Sequence, residues 1–364
     1  MNIKDITDYL EELAPLSYAE DFDNVGLLVG DKYSEVSGVL VTLDTLEETV
    51  DEAIEKKCNL IISFHPIIFG GLKKFNGSNY VERVVMKAIK NDIAIYATHT
   101  ALDNSFYGVS AKMCEVLKLK NKSVLLPQKG TLKKLVTYVP VKAAKTVRKM
   151  LFDVGAGAVG NYNECSFNVK GTSTFQGNAE ANPVIGTRGV TSEEKEIQIS
   201  LTFPKHLEPK IIQTLHTAHP YEEVAYEVTT LENKNQHIGI GMIGTLETPM
   251  ETEKFLDHVK IYMNTECIRH SAPLKKPIER VAVLGGSGSF GLSAAIAQQA
   301  DAYITADFKY HEFYKAEGKI LITDIGHYES EQFTKNLLVD YLKEKFRNFA
   351  IILSKKSTNP IYYS

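Results

Sequence analysis

The apolar pattern of this chain changes character twice, and that interruption constrains the fold more than any other feature. Over residues 1–125, helical periodicity (2–13, 46–57, 81–90, 109–117) alternates with short extended runs (38–43, 60–64, 93–98), as in a layered α/β unit. The texture returns after residue 248, with helices expected at 253–263, 292–300 and from 329 onward, and strands at 280–284, 302–305 and 319–323. Between these ends lie a strand at 132–140, a helix at 143–152 and a Gly-, Asn- and Ser-rich stretch with short extended pieces at 155–177. A strand at 196–203, a helix at 209–218 and a strand at 224–230 complete the order β-α-β-β-α-β, the ferredoxin-like arrangement. Turn-rich borders at Leu126-Pro127-Gln128-Lys129-Gly130 and in the Gly239 to Pro249 region place an inserted α+β domain at 128–247. It separates a first lobe at 1–127 from a second at 248–364.

Forty-one Lys plus Arg against forty-five Asp plus Glu give a net charge of -4, without the basic excess that phosphate-backbone binding needs, so nucleic acid is a disfavoured partner. The opening MNIKDITDYLEEL carries acids within its first apolar stretch, unlike a signal peptide, and no apolar run reaches the length of a membrane span. A cytoplasmic protein with no membrane partner is expected. Cys58, Cys114, Cys165 and Cys267 stand singly, a spacing that gives neither a disulfide framework nor a cysteine zinc site; four reduced, mostly buried thiols are expected.

Three segments place acid-base or metal-type side chains directly after an expected strand, where open α/β sheets collect their ligands. The apolar run Leu60-Ile61-Ile62-Ser63-Phe64 stops at His65, and Pro66 turns the chain out of the sheet. The run Ile95-Tyr96-Ala97-Thr98 ends in His99, with Asp103 four residues later. The run Leu321-Ile322-Thr323-Asp324 leads to His327 and Glu331, whose i,i+4 spacing puts both on one helical face, able to bind one cation together. Imidazole with carboxylates and no thiolate suits Zn²⁺, Mn²⁺ or Fe²⁺ and argues against a purely structural zinc site. A cation in such surroundings lowers the pKa of water and polarises a substrate, as hydrolysis requires. Singly, a strand-end histidine is most simply a hydrogen-bonded structural residue, and Asp103 a turn or cap residue. The common placement is what joins them. His311, in Tyr310-His311-Glu312, is a pocket candidate or part of a solvated helix face.

A rival signal is the turn Gly285-Gly286-Ser287-Gly288-Ser289-Phe290-Gly291. Gly286, Gly288 and Gly291 satisfy G-x-G-x-x-G after a strand and before a helix, which would make the protein a dinucleotide binder. Against that, Asp307 is the first acid after the next strand and comes early for a ribose partner. A milder reading is a glycine turn that permits close backbone or phosphate approach.

Four segments together resemble the NIF-three-like family, often labelled GTP cyclohydrolase 1 type 2 homologues: Glu20-Asp21-Phe22-Asp23-Asn24-Val25-Gly26-Leu27, Ser63-x-His65-Pro66, His99-Thr100-x-Leu102-Asp103 and Asp324-x-Gly326-His327-x-x-Ser330-Glu331. The resemblance implies a two-lobed mixed-sheet α/β domain, assembly as a homohexamer, and two divalent cations in a cleft. Carried over by motif, the metal ligands are His65, Asp103, His327 and Glu331. The family's His-His-Pro is broken here by Phe64, and an aromatic ring cannot replace an imidazole nitrogen. One metal, a second held more weakly with water in the vacancy, or recruitment of His99 are the outcomes left open. Within the insert, Thr217-Ala218-His219-Pro220-Tyr221-Glu222-Glu223-Val224 is similar to a motif of CutA and PII-like proteins, which are ferredoxin-like.

The expectation is therefore a metal-dependent hydrolase of a small nucleotide-like or heterocyclic substrate, with one or two Zn, Mn or Fe ions per chain and Glu331 or His99 moving protons. The alternatives are a non-enzymatic metal-binding or ligand-sensing scaffold, with the insert as sensor, and the dinucleotide binder of Gly286, Gly288 and Gly291.

Overall fold

The computed structural model describes residues 1–233 and 235–364. The first stretch carries β1 (Gly26–Val29), β2 (Val39–Thr42), β3 (Leu60–Ser63), β4 (Ala94–Ala97) and β5 (Lys120–Pro127). With them run α1 (Ile3–Leu13), α2 (Glu47–Glu55), α3 (Tyr80–Lys90), α4 (His99–Asp103) and α5 (Val109–Val116). The middle holds β6 (Leu132–Pro140), α6 (Ala144–Asp153), β7 (Phe167–Phe175), β8 (Ser192–Pro204), α7 (Glu208–Ala218) and β9 (Tyr226–Leu231). The chain then forms β10 (Gly239–Met250), α8 (Thr252–Met263), β11 (Arg269–His270), β12 (Ile278–Ser287), α9 (Leu292–Ala297), β13 (Ala302–Ala306), β14 (Leu321–Asp324), α10 (His327–Glu331), α11 (Thr334–Lys345) and β15 (Ile351–Leu353). This is a mixed α/β fold with several sheets. It divides into one compact unit of Met1–Pro127 with Gln236–Ser364 and a second of Gln128–Asn235.

The larger unit contains two sheets. In the first, ordered β1-β4-β3-β2-β15, strands β4, β3, β2 and β15 run parallel and β1 closes one edge antiparallel. Its strands are apolar on both faces because both are covered, as parallel sheets require. Val39, Val41, Leu60 and Ile62 face a layer containing Ile6 and Leu10 of α1 and Leu338 and Leu342 of α11. Leu40, Ile61 and Ile95 face Val50 of α2 and Val84 and Ala88 of α3. Each fully buried Leu, Ile or Val contributes about 1.5–3 kcal/mol of transfer free energy.

The second sheet is ordered β11-β14-β13-β12-β10-β5, with β12, β13 and β14 parallel and the outer strands antiparallel. Met113, Phe255, Val259 and Met263 cover one face, and Leu292 and Ala295 contribute to the cover of the other. Asp301 links the starts of two of its strands. Its Oδ2 accepts hydrogen bonds from the Glu279 and Arg280 amides at 3.0 and 2.8 Å, while Oδ1 pairs with Lys276.

The smaller unit is a four-stranded antiparallel sheet ordered β7-β8-β6-β9, which with the chain order β6-α6-β7-β8-α7-β9 is the ferredoxin-like topology read from the sequence. Leu135, Val139, Ile199, Leu201 and Phe203 pack against Val147 and Leu151 of α6 and Ile211 and Leu215 of α7. His219 fastens the turn after α7. Its Nδ1 accepts from the Tyr221 amide at 3.1 Å, so its Nε2 carries the proton donated to the Tyr138 carbonyl at 2.9 Å.

Several particulars differ from the sequence reading. The second border lies at 235/236 rather than 247/248, because the Gly239 to Pro249 region is a strand of the larger unit's second sheet and not a linker. Its glycines mark close strand contact: a Cβ at Gly239 would stand 2.2 Å from the Leu126 carbonyl oxygen, and Gly241 has φ +73°. The first and second sheets also exchange ends, since β5 joins the second and β15 the first. The expected terminal helix is two helices, with a break after α10. All four cysteines are free; Cys58 and Cys114 are buried, but Cys267 is exposed. Among the described residues no helix is long and apolar enough to cross a membrane.

Burial alone would raise the Asp301 pKa, but Lys276 and the two backbone amides outweigh it and hold the carboxyl below its ordinary value. A depressed carboxylate stabilises the fold above its unfolded pKa, and that contribution disappears as pH falls through the folded one. Asp301→Ala is therefore expected to cost about 2 kcal/mol at neutral pH. Urea titrations at pH 7 and below about 4 should show the difference between variant and parent shrinking with acidification.

Candidate metal centre

The carboxyl ends of both parallel strand sets meet at one cluster. From the first sheet come Asp44 after β2, His65 after β3 and His99 after β4; from the second come Asp307 after β13 and, after β14, the single-turn helix α10 with His327 and Glu331 at its two ends. This is where parallel strands leave side chains free to converge.

Each element is fixed locally. The Phe64 and His65 amides donate to the Leu43 carbonyl at 3.1 and 3.0 Å, and the Ser63 hydroxyl donates to the His65 carbonyl at 2.8 Å. Gly326, with φ +93°, makes the turn into α10, where a Cβ would meet Glu329 Oε2 at 2.2 Å. Ser330 Oγ accepts from the Gly286 amide at 2.8 Å and donates to the His327 carbonyl at 2.8 Å, tying α10 to β12.

Three histidines are oriented in the same way. Nδ1 of His65 is 2.8 Å from Asp44 Oδ1, Nδ1 of His327 is 2.7 Å from Asp307 Oδ2, and Nδ1 of His99 is 2.8 Å from Asp23 Oδ1. The Asp23 carboxylate is itself held by the Thr100 amide and hydroxyl. His99 has a φ of +25°, an uncommon backbone conformation for a side-chain-bearing residue, and its amide donates to the Phe64 carbonyl at 2.9 Å. A carboxylate on one ring nitrogen fixes the imidazole and raises the basicity of the other, the usual arrangement behind metal-binding histidines.

For His65 and His327 the other nitrogen points at Glu331. Their Nε2 atoms lie 3.2 and 3.3 Å from Oε2 of that carboxylate, which is only 4% exposed. The same Oε2 is buried without a well-aligned hydrogen bond, so these contacts have ion-pair distance but lack hydrogen-bond direction. His65, His327 and Glu331 bring one donor atom each within 4.8 Å of one another. A tetrahedral cation with bonds of about 2.0–2.1 Å spaces its ligand atoms about 3.3 Å apart. The donor set fits a divalent cation in both chemistry and spacing.

The charged groups of the cluster shift one another. Burial would lower the His65 pKa, but Asp44 and Glu331 raise it to about 10; Asp307 and Glu331 raise that of His327 to about 10 against burial. Burial would raise Glu331, yet the two imidazolium rings hold it at about 2. A cation held by these donors would have to displace the protons on the two Nε2 atoms. Asp103, 8% exposed, lies outside the tight donor set; burial and then the charge of Glu331 push its pKa well above the ordinary carboxyl value. His99 stands beside the set, its ring 5.4 Å from that of His65.

Phe64 is fully buried in the core of the first sheet, its ring 4.9 Å from His65 and 5.6 Å from His99. The C-terminal segment also reaches the cluster. Thr358 Oγ1 donates to Asp44 Oδ2 at 2.5 Å, and Asn359 Nδ2 to Glu329 Oε1 at 2.9 Å.

The glycine turn is accounted for by this packing. A Cβ at Gly286 would lie 2.3 Å from Glu331 Oε1, one at Gly288 2.1 Å from Thr305 Oγ1, and one at Gly291 2.4 Å from the Tyr303 hydroxyl. The amides of Gly286, Gly288 and Gly291 already donate to Ser330, Ala306 and Gly288, and α9 is only six residues long. The pyrophosphate of a dinucleotide would need those amides free. The expectation of a dinucleotide site is corrected accordingly.

A family model for Duf34/NIF3 (NGG1p interacting factor 3) matches residues 1–360. The chain belongs to the Duf34/NIF3 family. Relatives of this NIF3 chain named GTP cyclohydrolase 1 type 2 homolog include one from Bacillus subtilis, 35% identical over 368 residues that cover 100% of this chain and 99% of that protein. Another, from Halalkalibacterium halodurans, is 36% identical with the same coverage. A solved Bacillus cereus structure described as related to NIF3 is 38% identical with a TM-score of 0.87, covering 100% of this chain and 99% of that one. A Staphylococcus aureus structure is 30% identical with a TM-score of 0.78 and the same coverage.

The sequence reading of this NIF3 chain did not single out Asp44, and it treated Asp307 only as an early ribose partner. Both stand directly after strands, the placement that singled out the histidines, and that signal was sufficient to find them. His311 is exposed on a 3₁₀ turn, stacks on Tyr314 and is not among the three clustered donors.

Gly286→Ala tests the packing. With φ +68° and a Cβ against a buried carboxylate, it is expected to destabilise the protein by about 2 kcal/mol, read as a lowered denaturant midpoint. Gly318→Ala, at the same φ with open space around it, should cost clearly less.

Proposed function

We propose that this chain is a divalent-metal-dependent hydrolase of a small, nucleotide-like or heterocyclic substrate. The observation that carries the reading is the convergence of two carboxylate-anchored imidazole nitrogens on one buried, poorly hydrogen-bonded carboxylate oxygen. His65, His327 and Glu331, with Asp103 as further ligand, would hold a Zn²⁺, Mn²⁺ or Fe²⁺ ion. When bound, the ion supplies Lewis acidity, lowering the pKa of water and polarising the substrate. Phe64, standing where the family motif has a histidine, and the single donor set found among the described residues favour one tightly held ion per chain.

The chain's own groups supply the rest. Asp44 and Asp307 hold the two ligand rings in one orientation. His99, with Nδ1 engaged by Asp23, has Nε2 as the ring atom to move a proton. Phe69 is more than half exposed, with its ring 6.2 Å from His99 and 6.3 Å from the exposed ring of Phe22. These rings offer a heterocycle a stacking surface beside the cluster. The relatives' name brings ring hydrolysis of a purine into this proposal as one substrate class. A homo-oligomer, with the hexamer implied by family resemblance, and a PII- or CutA-like insert, supported by its strand order and the 217–224 motif, belong to the same proposal.

Elemental analysis of tag-free protein reconstituted with Zn²⁺, Mn²⁺ or Fe²⁺ should find about one equivalent held tightly. Glu331→Gln and His327→Ala should lose it while remaining folded. Asp307→Asn should keep the stoichiometry but bind about 10–100-fold more weakly. Metal absent from the reconstituted parent, or unchanged in Glu331→Gln, would sink the site assignment.

A second reading, a metal-holding scaffold without turnover, is favoured by the apolar wall that Phe64 makes beside His65 and His99. A panel of nucleotides and heterocycles separates the two. Turnover that disappears in Glu331→Gln, with Phe69→Ala raising KM about 5-fold and leaving kcat nearly unchanged, supports the hydrolase. Stoichiometric metal with no turnover on the panel supports the scaffold.

A further inference from the structure

The smaller unit contains a cavity of about 780 Å³, within the size range of small-molecule sites. Strand alternation places it. On β8, Ile197, Ile199, Leu201 and Phe203 face the helices, so Glu194 and Glu196 fall on the opposite face of the sheet. Ser173 and Phe175 of β7 lie directly across from Glu194 and Ser192 and share that helix-free face. The segment 176–185 and residues 221–225 wall the cavity in.

Three features point to its occupant. Glu196, a charged residue in the middle of the sheet, is only 5% exposed, and burying a carboxylate there is costly unless something compensates it. The Tyr221 and Ser173 hydroxyl oxygens are buried and make no hydrogen bond of proper geometry, and burial, followed by the neighbouring Glu196 carboxylate, pushes the Tyr221 pKa up. Among the described residues the lining contains four glutamates, 180, 196, 222 and 223, and no Lys, Arg or His, so an anion is repelled. Glu222 is already engaged, its Oε1 accepting from the Asn182 amide at 2.7 Å. The remaining wall is aromatic and aliphatic, with Tyr138, Phe175 and Tyr221 on one part and Pro183, Val184 and Ile185 on another.

We propose that this cavity is a binding site for a small organic ammonium ion with an aromatic or aliphatic body. A primary ammonium brings three donors and a positive charge, matching the Glu196 carboxylate and the two idle hydroxyl oxygens. The aromatic rings add cation-π attraction and cover the apolar body. A bare metal cation would leave that apolar wall without a partner, and a phosphate or nucleotide meets only negative charge. The site stands on the smaller unit's residues alone and is independent of whether the cluster in the larger unit holds a metal.

The test uses the intact chain and phenethylammonium as probe, followed by saturation-transfer NMR and titration. Saturable binding with Kd of about 1 mM or tighter is expected, with 3-phenylpropanoate and inorganic phosphate failing to compete. Glu196→Gln should weaken binding at least about tenfold. Because Glu196 sits in a central strand, Tyr221→Phe serves as a second variant that keeps the ring, with about 3–10-fold weakening expected. Unfolding midpoints of both variants check that they fold. Equal binding of the carboxylate or phosphate, no saturable binding at about 10 mM, or ammonium binding unchanged in both folded variants would overturn the proposal.

Discussion

A carboxylate with almost no access to water must be compensated by its surroundings, and the larger unit is arranged around that demand at Glu331. Isolated, such a group would cost several kcal/mol. Compensation comes from both sheets: His65 leaves the first, His327 leaves the second, and each is steadied by an aspartate one strand away. Gly285 and Gly286 are required because the space a side chain would fill is occupied by Val109 and Glu331. Fixing one charge therefore fixes the turn after β14, the end of β12 and the relation between the two sheets.

The arrangement repeats one device at three strand ends. A parallel strand finishes, the next residues leave the sheet, and a histidine is held by an aspartate from elsewhere. Two of these rings share Glu331, while the third, His99, stands beside them on a residue of unusual backbone conformation. The uniform orientation commits each Nδ1 to an aspartate and leaves Nε2 as the atom that holds a proton or, once that proton is lost, a lone pair.

Alternating periodicity made the layered α/β ends and the ferredoxin-like insert legible in the sequence, and strand-end placement marked His65, His99, His327 and Glu331. What escaped did so for physical reasons. β10 carries Gly239, Gly241 and Gly244, which look like turn signals but here permit strands and side chains to approach closely. β1, β11 and β15 are edge strands of two to four residues, too short to show a period. α10 and α11 read as one helix because the sequence at Gln332-Phe333 has no breaker. Phe64 was recognisable as a departure from the motif, but its burial in the sheet core beside two histidines is a tertiary fact.

The exchange of ends between the two sheets bears on how the protein is made. β15 completes the first sheet beside β2, and Leu338 and Leu342 of α11 fill the same core as α1. A chain emerging from synthesis therefore exposes much of its first apolar layer until α11 and β15 arrive, while the intervening unit has a core of its own. His65 has Asp44 early but must likewise wait for Glu331 of α10. Assembly of the cluster thus waits for α10, and a product cut short before it would leave the Nε2 of His65 without Glu331 and β2 as an open sheet edge, a feature that chaperones and proteases recognise.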